Sequence, residues 1–199
     1  MAAENNNPEW GFGTKAVHAG QRPDPVTGAV TVPVYQTSTY QQDAVGKDRG
    51  YEYSRTGNPT RSALEVSVAS LEGDSYGRAF ASGMAAEDTI LRLLEPGDHV
   101  VMGNDAYGGT FRLISKVLAR FGITYTAADL SSPDEVMRAF TNETKVVWAE
   151  TPTNPLLSVI DIELLATLSH DREAMLVVDN TFATPYLQKP LLFGADLVI

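Results

Sequence analysis

A chain of 199 residues, 43% of them hydrophobic and 20% charged, has enough apolar material to bury a core of its own. Its formal net charge of -10 works against a nucleic-acid surface or an anionic-membrane surface, because the summed field repels phosphates and leaves room only for a small, focused phosphate site. The lack of cysteine excludes disulfides and thiolate metal sites, and the longest apolar run after the polar, Asn-rich start is Ala174 to Val178, too short for a bilayer, so a soluble cytoplasmic protein without a metal is expected.

In chain order, residues 1–60 carry scattered Gly and Pro, among them Pro23, Pro25, Gly28 and Pro33, with few helical repeats. They read as an extended arm that something else must hold. From Pro59 the pattern turns helical: Leu64, Val68 and Leu71 share one face, and Gly73 stands where a left-handed cap is wanted. Residues 61–199 then alternate short apolar runs with helical stretches. The predicted strands are Arg78–Ala81, His99–Met102, Ile123–Thr126, Lys145–Ala149, Ala174–Val178 and Asp196–Ile199.

Between them, Thr110 to Phe121 places Phe111, Ile114, Val117, Leu118 and Phe121 on an apolar stripe closed by Gly122. Ser132-Pro133-Asp134-Glu135 starts a helix, with Ser as N-cap, Pro at the first helical position and Glu placed for a capping box. Asp161 caps a helix over Ile162–Ser169. Apolar strands between helices predict an α/β fold with a mainly parallel, doubly wound sheet.

In such a sheet a ligand sits at the carboxyl ends of the strands, and four of those ends are unusual. Ser82-Gly83-Met84 opens a helix whose free N–H groups and dipole favour a phosphate. Tyr107 sits on a loop beside Gly108 and Gly109. Asn154 lies between Pro152 and Pro155, which stiffen its loop. Asp179 ends a buried strand, where a carboxylate is costly unless it is solvated or meets a cation. Each has a bland reading taken singly: a tight βα turn, a loop aromatic, an Asn-Pro turn and a helix cap. Together they supply a phosphate cradle, a stacking ring, an amide and an acid along one edge. That set suits a flat anionic heteroaromatic whose ring nitrogen is kept protonated, as pyridoxal 5'-phosphate requires.

At this point the chain resembles the Cys/Met metabolism (trans-sulfuration) family of pyridoxal-phosphate enzymes. The residues that carry the resemblance are Tyr51–Thr60, Ala81–Ala86, Asp105–Thr110, Glu150–Pro155 and Val177–Thr181. The resemblance implies the large domain of a type I, aspartate-aminotransferase-like transferase, with a smaller C-terminal domain to follow. It further implies that Tyr53 and Arg55 bind the cofactor phosphate of a neighbouring subunit. Ser82, Gly83 and Met84 hold it from within, Tyr107 stacks on the ring, Asn154 reaches the ring hydroxyl, and Asp179 pairs with the ring nitrogen with Thr181 in support. Tyr107 and Tyr53 are the candidate catalytic groups, and Tyr107 with Arg112 the candidate substrate contacts. The active site is then shared between subunits of a homotetramer built from dimers, which accounts for the arm.

Within the family, γ-replacement on an activated homoserine ester by cysteine, forming cystathionine, is favoured, with γ-lyase and O-acyl-homoserine sulfhydrylase activities as alternatives. Gly109 stands where methionine γ-lyases usually carry cysteine, which argues against the methionine γ-lyase reading. The family's Schiff-base lysine lies in a Ser-x-Thr-Lys segment, and none of Lys15, Lys47, Lys116, Lys145 or Lys189 does. It is therefore expected beyond Ile199, in a longer natural chain; these residues by themselves are not expected to turn over. Two other classes compete: a nucleotide-binding module, although no G-x-G-x-x-G or P-loop pattern follows the early strands, and a non-catalytic relative that has lost the lysine.

Overall fold

The computed structural model describes residues 9–74 and 76–199; of the polar start, only Glu9 and Trp10 are among them. The chain forms two compact units that divide between Ala79 and Phe80.

The first unit holds two helices, α1 (Phe12–His18) and α2 (Pro59–Glu72), joined by a long irregular segment. Helix α1 lies within the stretch whose Gly and Pro content predicts only an extended arm. Helix α2 begins at Asn58, whose side-chain oxygen accepts from the N–H groups of Thr60 and Arg61, and ends at Gly73 in the left-handed region at φ 94°. That closure is the one expected from sequence. The start of α2 is tied to the preceding segment: Tyr35 N–H donates to Thr60 Oγ1 at 2.9 Å, and Thr60 Oγ1 donates to Pro33 O at 2.9 Å.

The predicted stripe on α2 faces the wrong way, since Leu64 and Val68 are exposed while Ala69 and Ser70 are buried. The reason is a close backbone approach. A Cβ on Gly20 would collide with Ala63 O and lie 3.2 Å from both Ser67 N and Val66 Cβ, so the helix turns its Ala63, Val66 and Ser67 side to the Gly20 backbone.

The second unit is a five-stranded sheet: β1 (His99–Gly103), β2 (Thr124–Ala128), β3 (Thr144–Glu150), β4 (Met175–Asp179) and β5 (Leu197–Val198). The order is β2-β1-β3-β4-β5 and every pairing is parallel. Alternate side chains build two cores. On one face, Val101, Val147, Ala149, Leu176 and Val178 pack with Val136 and Ala139 of α5 (Pro133–Ala139) and with Ile162, Leu165 and Ala166 of α6 (Ile162–His170). On the other, Val100, Met102, Val146, Trp148 and Val177 pack with Leu91 of α3 (Gly83–Leu91) and with Leu113, Ile114 and Leu118. Helices on both faces confirm the α/β, doubly wound architecture.

Two sequence expectations need correction here. Arg78–Phe80 carries no secondary structure and Ala81 is a bend, because a strand requires a neighbouring backbone to take its N–H and C=O groups. Ala79 N–H instead donates to the Glu65 carboxylate at 3.1 Å. The stretch from Thr110 is also not one regular helix: α4 (Gly108–Arg112) passes into a π-turn at Leu113–Val117 and a 3₁₀ turn at Leu118–Phe121. The wider π-turn shifts the helical phase. Leu113, Ile114 and Leu118 face the core, while Phe111, Val117 and Phe121 lie exposed. Gly122 closes the stretch at φ 86°, as expected.

The caps of α5 and α6 form at the predicted residues, with Ser132 Oγ accepting from Glu135 N–H at 3.4 Å and Asp161 Oδ1 from Leu164 N–H at 3.0 Å. The capping box does not close, however, because the Glu135 carboxylate takes the N–H of Asp129 at 3.1 Å.

Candidate active site

The carboxyl ends of β1, β3 and β4 and the start of α3 bring most of the singled-out residues to one edge of the second unit. Asp179 ends β4 and stands in register with Glu150, which ends β3. Register partners in parallel strands point to the same side, and for this pair it is the Trp148–Val177 side, which α3 covers. Both are buried, Asp179 at 7% exposure and Glu150 at 9%. Asp179 Oδ1 accepts the backbone N–H of Thr181 at 3.0 Å. Thr181 thus supports the acid through its N–H, not its hydroxyl, and its side chain is exposed.

Glu150 bridges two loops. Its Oε2 accepts from Tyr107 N–H at 2.6 Å and its Oε1 from Asn154 N–H at 3.0 Å. A third carboxyl, Glu87 on α3, is 3% exposed and accepts from the Thr110 hydroxyl at 2.7 Å. Burial pushes both glutamates above the usual carboxylate range; the hydrogen bond from Thr110 opposes this at Glu87 and that from Tyr107 N–H at Glu150, while the charge of Asp179 adds to it at both.

Sequence reasoning passed over both glutamates. A signal existed for each. Glu150 ends an apolar run as Asp179 does, and Glu87 stands one turn before the buried Leu91 on the same helical face.

At the other end of the edge, Ser82 Oγ caps α3 by accepting from Ala85 N–H at 3.2 Å. The N–H groups of Gly83 and Met84 have no acceptor within the helix, and a Cβ built on Gly83 would meet nothing within 4 Å. Tyr107 lies between the two ends, 42% exposed. A Cβ on Gly109 would overlap its ring and lie 2.7 Å from Met84 Sδ, so Met84, Gly109 and Tyr107 are packed together. Arg112 is exposed at the end of α4, with its guanidinium near Gly108. Tyr53 and Arg55 belong to the first unit, where the guanidinium stacks over the ring with its carbon 5.0 Å from the centroid.

Among the described residues there is no cluster of His, Cys, Asp and Glu able to hold a metal, and no helix long and apolar enough to cross a membrane.

A buried acid, an exposed ring and an open helix start along the carboxyl edge of a parallel sheet define a cofactor-binding α/β domain. The profile of the Cys/Met metabolism PLP-dependent enzyme family matches residues 13–199, and the chain belongs to that family. It is 58% identical over 191 residues to a cystathionine gamma-synthase of Mycobacterium tuberculosis, covering 95% of this chain and 49% of the relative. A cystathionine beta-lyase of Lactococcus lactis is 52% identical over 186 residues, covering 94% of this chain and 49% of that protein. The crystal structure of a cystathionine gamma-lyase from Lactobacillus plantarum, complexed with L-serine, superposes with a TM-score of 0.91 at 50% identity, covering 95% of this chain and 49% of that one. The chain thus spans about half the length of the curated relatives it matches. Its family is dependent on pyridoxal phosphate and serves cysteine and methionine metabolism.

Proposed function

We propose that the full-length protein is a pyridoxal-phosphate enzyme that forms cystathionine from an activated homoserine ester and cysteine. The observation that carries the cofactor assignment is Asp179, buried at the crevice end of β4 with one oxygen on Thr181 N–H and acceptor capacity to spare. Three buried carboxyls on one face favour a cationic partner, and a protonated ring nitrogen supplies one. The residues present fit the cofactor at both ends: an acid for the nitrogen, and an uncluttered helix start for the phosphate.

In this reading Asp179 holds the proton on the pyridine nitrogen. Tyr107 covers the ring face and exchanges a proton with substrate, Asn154 orients the ring hydroxyl, and the N–H groups of Gly83 and Met84 grip the phosphate, with Ser82 holding the helix start. Pyridoxal phosphate, when bound, supplies an electron sink for the carbanion left when the substrate Cα loses its proton. Arg112 contacts the amino-acid substrate. Tyr53 and Arg55, pre-stacked on each other, reach the phosphate of a neighbouring copy, and residues 1–60 are the arm that carries them. The assembly is a homotetramer of dimers with shared sites, working in the cytoplasm on small amino-acid substrates, and residues 61–199 form the cofactor-binding domain.

The preference for synthesis over cleavage draws support from the 58% identity to a gamma-synthase. The gamma-lyase likeness, at 50% identity, makes cleavage of cystathionine the second reading; sulfhydrylation of the same ester is the third.

The deciding experiment uses the full-length protein with pyridoxal phosphate. A visible absorbance band that borohydride abolishes, leaving the cofactor covalently attached to the protein, supports the cofactor reading, and a colourless protein overturns it in favour of a non-catalytic relative. Cystathionine appearing from homoserine ester and cysteine, faster than cystathionine is consumed, supports the synthase; the reverse ratio assigns the lyase.

A further inference from the structure

We infer that Glu150 is a positioning residue that sets the two ring-contacting loops at a fixed spacing. The inference rests on the reading of this crevice as the cofactor site. A carboxylate has two oxygens, and here each serves a different loop: Oε2 takes the N–H of Tyr107 and Oε1 that of Asn154, at 2.6 and 3.0 Å. These are the residues that carry the ring-stacking side chain and the ring-hydroxyl amide. They stand 47 positions apart in sequence, and one side chain joins their backbones. Glu150 itself is anchored, being the last residue of a central strand, 9% exposed and in register with Asp179. One rigid strand end therefore aligns the ring stack, the amide and the acid.

Both bonds need an acceptor at both oxygens, which a carboxyl group offers and an amide does not. A glutamine of the same shape keeps one acceptor and turns a donor toward the other N–H. Glu150 so placed acts through Tyr107 and Asn154, and touches no substrate atom.

The test is made on the full-length protein, freed of cofactor and titrated with pyridoxal phosphate, reading the dissociation constant and the visible circular dichroism of the bound cofactor. Glu150→Gln is expected to weaken binding on the order of tenfold, as loss of a hydrogen bond to a charged group does, and to reduce the dichroism. The same change made in a Tyr107→Ala/Asn154→Ala background is expected to alter neither, because the groups it positions are gone. An equal loss in both backgrounds, or no loss in the wild-type background, overturns the inference. Should Glu150→Gln fail to fold, Glu150→Asp enters the same cycle; it keeps the charge but is one methylene too short to reach both loops. Failure of the unmodified protein to bind pyridoxal phosphate would instead sink the cofactor reading, a separate result.

Discussion

Asp179 and Gly109 are the single positions on which the proposed cofactor site can be tested most directly. Asp179 is buried where its charge meets the proposed ring nitrogen, so replacing it with asparagine keeps the shape and the Thr181 contact but removes the field that holds the proton. In the full-length enzyme, Asp179→Asn is expected to lower kcat by about 10²-fold or more while the cofactor dissociation constant changes much less. Turnover near the wild-type rate would remove Asp179 from the role. Gly109 is constrained by what surrounds it, since a Cβ there overlaps the Tyr107 ring and lies 2.7 Å from Met84 Sδ. Gly109→Ala must swing the ring aside, at a cost of about 1–3 kcal/mol for overpacking, and is expected to weaken cofactor binding with a changed visible dichroism. Identical titrations for the two proteins would show that Tyr107 does not stack on the ring.

Whole elements were legible where a local signal sets them. Asp161 caps α6 and accepts from Leu164 N–H at 3.0 Å, a bond between residues three apart that sequence alone contains. Asp161→Ala in the full-length protein is expected to cost about 1 kcal/mol of stability, read as a lower urea midpoint at unchanged m-value; an unchanged midpoint would mean that solvent replaces the cap without loss. The same locality explains why Ser132, Gly73 and Gly122 stand where the sequence predicts. Orientation was less legible. The Leu64 and Val68 face of α2 points outward because Gly20 approaches the opposite side, and the phase after Thr110 depends on a π-turn for which local propensity gives no sign. Arg78–Ala81 has a strand's composition but no partner strand among the described residues, and pairing is a property of two segments. Glu150 could be noticed at the end of its apolar run, but its bridging role was hidden for a related reason, since it joins loops that meet only in the folded sheet.

At the scale of the molecule, the sheet keeps its chemistry at one edge and a buried base at the other. His99 begins β1, 4% exposed, with Nδ1 at 2.8 Å from Thr144 Oγ1 and Nε2 at 2.9 Å from Thr126 Oγ1, so its ring joins three strands. Burial pushes its pKa below the ordinary histidine value, and the charge of Glu143 opposes that shift without cancelling it. The folded protein therefore binds this proton less readily than the unfolded chain. Above the unfolded value of about 6.5 both states are neutral and the contribution to stability is complete. As pH falls below it, the unfolded chain takes up the proton first and stability declines, until the pH has passed below the lowered folded value. Glu87 and Glu150 act in the opposite sense: their raised values stabilise the fold at low pH and lose that contribution as pH rises through the folded values. A bare pH profile mixes the two, so the comparison must be between proteins. In the full-length chain, wild type should lose more of its urea midpoint than His99→Gln on moving from about pH 7.5 to about pH 5.5, a window that spans the unfolded histidine value. The two glutamates contribute equally to both proteins and drop out of the difference. Parallel profiles would show that His99 takes up its proton as readily in the folded sheet as in the unfolded chain.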